Sequence, residues 1–156
     1  MTAEWTGTKF WPFNPTDCVS PNFSDFVLGS DGYGQSFVHG FDKKTGAYTN
    51  MSFGGNGKSE TPQQFSCPHG INFDYGSNLT VVADRSNNRI EFCTIDGNHV
   101  RTVNMNSSSL FAKNGCGILP CNVDYGYPGY ALIPYLDGPV AVVDATVSTV
   151  VSVIQV

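Results

Sequence analysis

Apolar residues along this chain fall in short runs broken by Asp, Asn and Gly, with no sustained helical spacing. Strands are predicted over residues 25–28, 37–41 and 47–53, then 79–82, 89–92 and 99–103, then 130–133, 140–143 and 147–154. Runs of this length bounded by turn residues suit strands, whose side chains point alternately to two faces. Each group of runs follows a similar opening: Pro15-Thr16-Asp17-Cys18, Pro68-His69-Gly70-Ile71 and Pro120-Cys121-Asn122-Val123. The opening prolines stand 53 and 52 residues apart, so the chain repeats itself three times.

A unit of about fifty residues carrying four short strands is one blade of a β-propeller. A small twisted sheet cannot bury both of its faces alone, so such units stack around an axis. The predicted fold class is therefore all-β: a partial β-propeller of about three four-stranded blades, half of a six-bladed ring. It is one partial domain over residues 1–156, with blades at 15–67, 68–119 and 120–156. A β-sandwich or barrel of evenly spaced strands shares the spacing, and the matching openings favour blades. Propellers close with about four to eight blades, so three leave a ring open and its end faces apolar. Two explanations compete. The chain is a fragment of a longer protein, favoured because the first unit starts in mid-pattern and Val156 carries no polar cap, or two copies form a homodimer that completes a six-bladed ring.

Composition narrows the partners. Eight Lys and Arg against 13 Asp and Glu give a net charge of −5, which offers no cationic surface for phosphates, so nucleic acid is not an expected partner. The longest apolar stretch, 139–154, is interrupted by Asp144, Thr146, Ser148 and Thr149, too polar to span a bilayer, and Met1–Trp5 lacks the pattern of a signal peptide. The chain reads as soluble, its compartment open and a secreted parent protein allowed. Five cysteines (Cys18, Cys67, Cys93, Cys116, Cys121) form no Cys-x-x-Cys pair and read as mostly buried thiols. Sequons at Asn22, Asn50, Asn78 and Asn106 carry little weight without a secretion signal. Gly54-Gly55-Asn56-Gly57-Lys58 lacks the Gly-Lys-Ser/Thr ending of a phosphate loop and reads as an inter-blade connection.

The middle unit holds Pro68-His69-Gly70-Ile71, Val82-Ala83-Asp84-Arg85, Asn88-Arg89-Ile90 and Asp96-Gly97. This run resembles a full repeat of the NHL propeller family. The first unit matches it more weakly, through Pro15-Thr16-Asp17 and Ser30-Asp31-Gly32-Tyr33-Gly34, and the third has Pro134 and Tyr135 where Ala-Asp would stand. Within that family the order and spacing of these segments are similar to those of the peptidyl-α-hydroxyglycine α-amidating lyases. These are six-bladed propellers that cleave a peptidyl-α-hydroxyglycine to a peptide amide and glyoxylate with a zinc held by three histidines. The resemblance implies His69 as a zinc ligand and Tyr33 and Arg85 as catalytic residues. The other two openings carry Thr16 and Cys121, leaving this chain one such histidine of three.

Each residue also has a plainer role. His69 can be a hydrogen-bonding turn residue, Tyr33 a cover for the blade edge, and Asp84, Asn88 and Arg89 ties between strands. His39 and His99 do not follow an opening and are not expected to join His69. Arg85, at a strand end, points towards the open mouth of the propeller. Two functional readings follow. The first is an NHL-type binding module that takes a small molecule or peptide at its rim or channel mouth. The alternative is a zinc-dependent lyase related to the amidating enzymes, in which zinc at His69 polarises the carbinolamide, Tyr33 takes the hydroxyl proton and Arg85 holds the carboxylate.

Overall fold

The structure is a computed structural model and describes residues 13–58, 61–105, 119–127, 129–136 and 138–155. Met1–Trp5, Cys116 and the Asn106 sequon lie outside the described residues. Twelve strands run in chain order: β1 (Asp17–Val19), β2 (Phe26–Ser30), β3 (Phe37–Asp42), β4 (Tyr48–Gly54), β5 (Pro68–Asp74), β6 (Leu79–Asp84), β7 (Arg89–Cys93), β8 (His99–Asn104), β9 (Asp124–Tyr127), β10 (Tyr130–Pro134), β11 (Val140–Asp144) and β12 (Thr149–Ile154). They make three four-stranded antiparallel sheets, β1–β4, β5–β8 and β9–β12, each ordered as in the chain. A 3₁₀ turn, Arg85–Asn87, joins β6 to β7. No helix among the described residues is long and apolar enough to cross a membrane.

The fold is thus all-β, three sheets arranged as successive blades. Inner strand β1 packs on β5, and β5 on β9. Polar bonds stitch this line of inner strands. The Thr16 hydroxyl donates to the Pro68 carbonyl at 2.8 Å, the Ile71 amide to Asp17 Oδ2 at 3.1 Å, and Asn72 Nδ2 to the Val123 carbonyl at 3.0 Å. The approach is close because Gly70 lacks a side chain: a Cβ there would collide with Asn122 Cα. Between the blades the alternating apolar residues form two cores. Leu28, Val38, Phe53, Phe65, Ile71 and Val82 fill the first gap. Val81, Ala83, Ile90, Phe92, Val103, Ile133, Ala141 and Val143 are among those filling the second.

The strand ends also repeat. Asp31 and Asp84, each just past or at the end of its blade's second strand, are fully buried and receive backbone N–H groups from the incoming chain and, for Asp31, from its own loop. Asp31 takes Asn14 at 2.6 Å and Gln35 at 2.7 Å, and Asp84 takes Ser66 at 2.7 Å. In the third blade, Tyr135 occupies this place and bridges Pro120 instead. Asp84 also accepts from Arg89 Nε at 2.8 Å, while Arg89 Nη2 donates to the Thr61 and Gln64 carbonyls, so the expected tying role of this pair is what the structure contains. Gly55 and Phe65 exchange a backbone bond across the connection from β4 to β5, which places 54–58 in an inter-blade link.

Three expectations need correction. The last strand starts at Thr149, two residues later than predicted, because Asp144 caps a turn over Thr146 and Val147 and Ser148 adopts φ 56°. Both end faces were expected to be open, yet on the first blade His39 is fully buried among the rings of Phe13, Phe37, Phe41 and Tyr48. On the third blade, Tyr130, Leu132, Val151 and Ile154 are exposed as expected. Of the four described cysteines only Cys93 is buried; Cys67 and Cys121 are half-buried and Cys18 is exposed.

Candidate functional site

Antiparallel blades place alternate turns at opposite ends of the sheets. One end collects the β2–β3 loop (31–36), the β6–β7 loop (85–88) and the start of β5. Tyr33 comes from the first, Arg85 from the second and His69 from the third. The structure brings all three together. Tyr33 Oη lies 3.0 Å from His69 Nε2, and Arg85 Nη1 donates to Tyr33 Oη at 3.1 Å. The guanidinium also sits over the Tyr33 ring, 5.3 Å from its centre, and the tyrosine and imidazole rings meet edge to face at 5.5 Å.

The repeat explains the meeting. Tyr33 and Arg85 occupy corresponding loops of adjacent blades, and the closely packed inner strands bring those loops side by side. Gly32 permits it, since a Cβ there would stand 2.5 Å from the Pro68 carbonyl oxygen. The His69 ring is oriented from the next blade: Nδ1 is 2.9 Å from the Cys121 carbonyl, an atom that can only accept. Nδ1 therefore carries the proton, and in the neutral ring Nε2 presents its lone pair to Tyr33, which donates its O–H. Tyr33 is 53% exposed, so this cluster faces solvent.

Arg85 is the cation of this cluster, next in the chain to the buried Asp84. Burial alone would lower the Arg85 guanidinium. Its hydrogen bond to the Tyr33 hydroxyl and the neighbouring Cys67, Tyr33 and Cys121 groups outweigh it and raise the guanidinium above its ordinary value, so it stays charged. Burial pushes the Cys67 thiol up, with Arg85 opposing, which keeps the sulfur protonated. The Arg85 amide donates to the Cys67 carbonyl at 3.2 Å, fixing the turn from which the guanidinium projects.

The remaining histidines stay apart, as the sequence predicts. His39 Nδ1 lies 2.7 Å from Ser52 Oγ within the first blade, and His99 Nε2 lies 3.2 Å from Glu91. Among the described residues no group of three His, Cys, Asp or Glu side chains converges as a metal site. A catalytic zinc takes about three protein ligands, and His69 is one. Sequence reading missed the role of Cys121, whose backbone carbonyl sets the His69 tautomer. The signal was present: Cys121 stands 52 residues after His69, at the matching place in the next opening.

No protein-family model matches the chain, and no curated protein matches it in sequence. Solved structures match its fold. The WD40 repeats of RRP9 superpose with a TM-score of 0.63 at 12% identity, over 96% of this chain and 40% of that one. A chain of hydrazine synthase from Kuenenia stuttgartiensis gives 0.67 at 11% identity, over 100% and 39%. The WD40 β-propeller domain of Doa1 gives 0.64 at 12%, over 93% and 42%. These likenesses show a propeller-like fold and nothing finer. The chain spans about two fifths of the length of the structures it matches.

Proposed function

We propose that this chain is a propeller-type binding module of NHL character whose axial end, at Tyr33, His69 and Arg85, takes a small molecule or peptide through a carboxylate. The observation that carries this is the convergence of the three side chains from two adjacent blades on one solvent-facing point. A planar guanidinium with N–H groups to spare recognises a carboxylate by paired hydrogen bonds. Arg85 spends one bond on Tyr33 and forms no ion pair among the described residues. The stack on Tyr33 holds the fork in place before a ligand arrives, which lowers the entropy lost on binding. Binding calorimetry with N-acetylglycine tests the reading. Wild-type protein is expected to bind it and to reject N-acetylglycinamide, and Arg85→Gln is expected to abolish the difference. Equal binding of acid and amide contradicts it.

A second reading, a lyase acting on peptidyl-α-hydroxyglycine, is favoured by the same meeting of residues, since these are the three that the family resemblance singles out. Arg85 would hold the substrate carboxylate. Tyr33, as a phenolate facing Arg85 and with His69 Nε2 left free for the metal, would take the proton of the α-hydroxyl. The C–O bond then becomes a carbonyl as the C–N bond breaks, and the nitrogen gains a proton, giving glyoxylate and the peptide amide. Zinc, with His69 and ligands from outside the described residues, would supply Lewis acidity at the hydroxyl oxygen. Glyoxylate release that depends on Tyr33 and on one zinc per active site by elemental analysis supports this reading. Carboxylate binding without glyoxylate release leaves the binding module as the function.

A further inference from the structure

A second pocket lies at the opposite end of the sheets, between the second and third blades. The β5–β6 turn (Asp74, Gly76, Ser77), Gly129 before β10 and the β11–β12 turn (Ala145, Thr146) surround about 200 Å³, with Arg101 of β8 in the wall. A water takes up about 30 Å³ of liquid, so the space suits a small organic molecule. The Arg101 guanidinium lies flat on the Phe92 ring, 4.1 Å from its centre, and Phe92 is fully buried. Its position is therefore fixed by packing. Yet Arg101 forms no ion pair among the described residues, and its Nε is buried with no hydrogen-bond partner.

The polar groups in the wall are turned to their own turns and none bonds Arg101 Nε. Asp74 Oδ1 accepts the Gly76 amide at 2.9 Å, and Oδ2 accepts the Ser77 hydroxyl at 2.5 Å. The Thr146 hydroxyl donates to Asp144 Oδ1 at 2.5 Å. The Tyr125 hydroxyl of β9, outside the pocket lining, is also buried without a partner. Burial chiefly, and then Asp74, push that phenol up while Arg101 opposes, which places it beside both. Two buried donor groups thus lack an acceptor, and buried donors in native proteins are nearly always matched.

We propose that this pocket binds a small monocarboxylate, with Arg101 as its anchor. A guanidinium held on an aromatic ring presents its donor edge to a planar carboxylate. A dianion is disfavoured, because Asp74 stands in the same wall. Gly76, Gly129 and Ala145 leave room for a short apolar body only.

The test is a titration of the isotopically labelled chain with propionate, followed through backbone amide shifts. Saturable shifts at Gly76, Gly129 and Thr146 are expected, with propionamide and inorganic phosphate each about tenfold weaker or worse. Arg101→Gln is expected to remove saturation at these amides, and Arg101→Lys, which keeps charge without the fork, to weaken it about tenfold. Amides near His69 and Arg85 report the other end separately, and Arg85→Gln is expected to leave the Gly76, Gly129 and Thr146 response intact. Linear shifts without saturation overturn the proposal. So does an equal response to propionamide or phosphate in the wild-type chain, which needs no variant to fold, or unchanged binding in Arg101→Gln.

Discussion

Tyr33 and Arg85 stand 52 residues apart in the chain, in matching loops of adjacent blades, and the arginine donates to the tyrosine hydroxyl at 3.1 Å. A repeat that brings one loop beside its own copy turns two isolated sequence positions into a pair. In the proposed function, the charge of one and the aromatic ring of the other would hold an anion between two blades. Tyr33→Phe removes the hydroxyl but keeps the ring under the guanidinium. It is expected to weaken N-acetylglycine binding about three- to tenfold, the loss of one hydrogen bond of about 1 kcal/mol, against complete loss for Arg85→Gln, as calorimetry would register.

Stability depends on the close approach of the inner strands. Gly70→Ala drives a Cβ into Asn122 Cα and is expected to cost about 1–3 kcal/mol in urea denaturation. Gly29→Ala, whose Cβ finds no neighbour nearer than 3.6 Å, is the control and is expected to cost less.

The Asp84–Arg89 pair closes the loop before the second blade, with side chains 0% and 4% exposed. Asp84→Asn leaves Arg89 buried beside Glu91 with one of its two carboxylate contacts gone. The expected loss is about 1–3 kcal/mol by denaturant titration, the cost of one buried charge-assisted hydrogen bond, because Arg89 keeps Glu91 and two carbonyls.

Glu91 predicts a pH dependence. Burial, the largest influence, raises its carboxyl above the ordinary 4.5, against Arg89, Thr102 and His99, with Asp84 adding to the rise. A carboxyl raised in the folded state binds protons more readily there than in the unfolded chain. Its contribution is therefore fully present below pH 4.5 and is lost as pH climbs through the raised value. Glu91→Gln is expected to gain stability relative to wild type as pH rises through that window, measured by thermal melts at successive pH values. A relative loss over the same window would contradict the account.

Thiol reactivity should follow burial. Burial pushes Cys93 up to about 12, and Cys18 is exposed. Alkylation followed by peptide mass analysis is expected to modify Cys18 first and Cys93 last of the four described cysteines.

How far the sequence carried this account differs between strand types. The outer three strands of each blade were legible as short apolar runs bounded by turn residues, whether packed on both faces like Leu79–Asp84 or on one like Val140–Asp144. The inner strands were not: Pro68-His69-Gly70 and Asp17-Cys18 form no such run, because their side chains bond across to the next blade. The candidate site was legible residue by residue, through Tyr33, His69 and Arg85. The repeat spacing pointed to Cys121 as the counterpart of His69, but the bond of its carbonyl to the ring and the Arg101 pocket emerged only with the packing of the third blade on the second.

The central claim is that adjacent blades assemble one carboxylate site around an oriented His69. Nitrogen NMR of the His69 ring tests it most directly. In the neutral ring the proton is predicted on Nδ1, with the Nε2 resonance moving to saturation as N-acetylglycine is added. A proton on Nε2, or an Nε2 resonance that stays still at high ligand concentration, would contradict it.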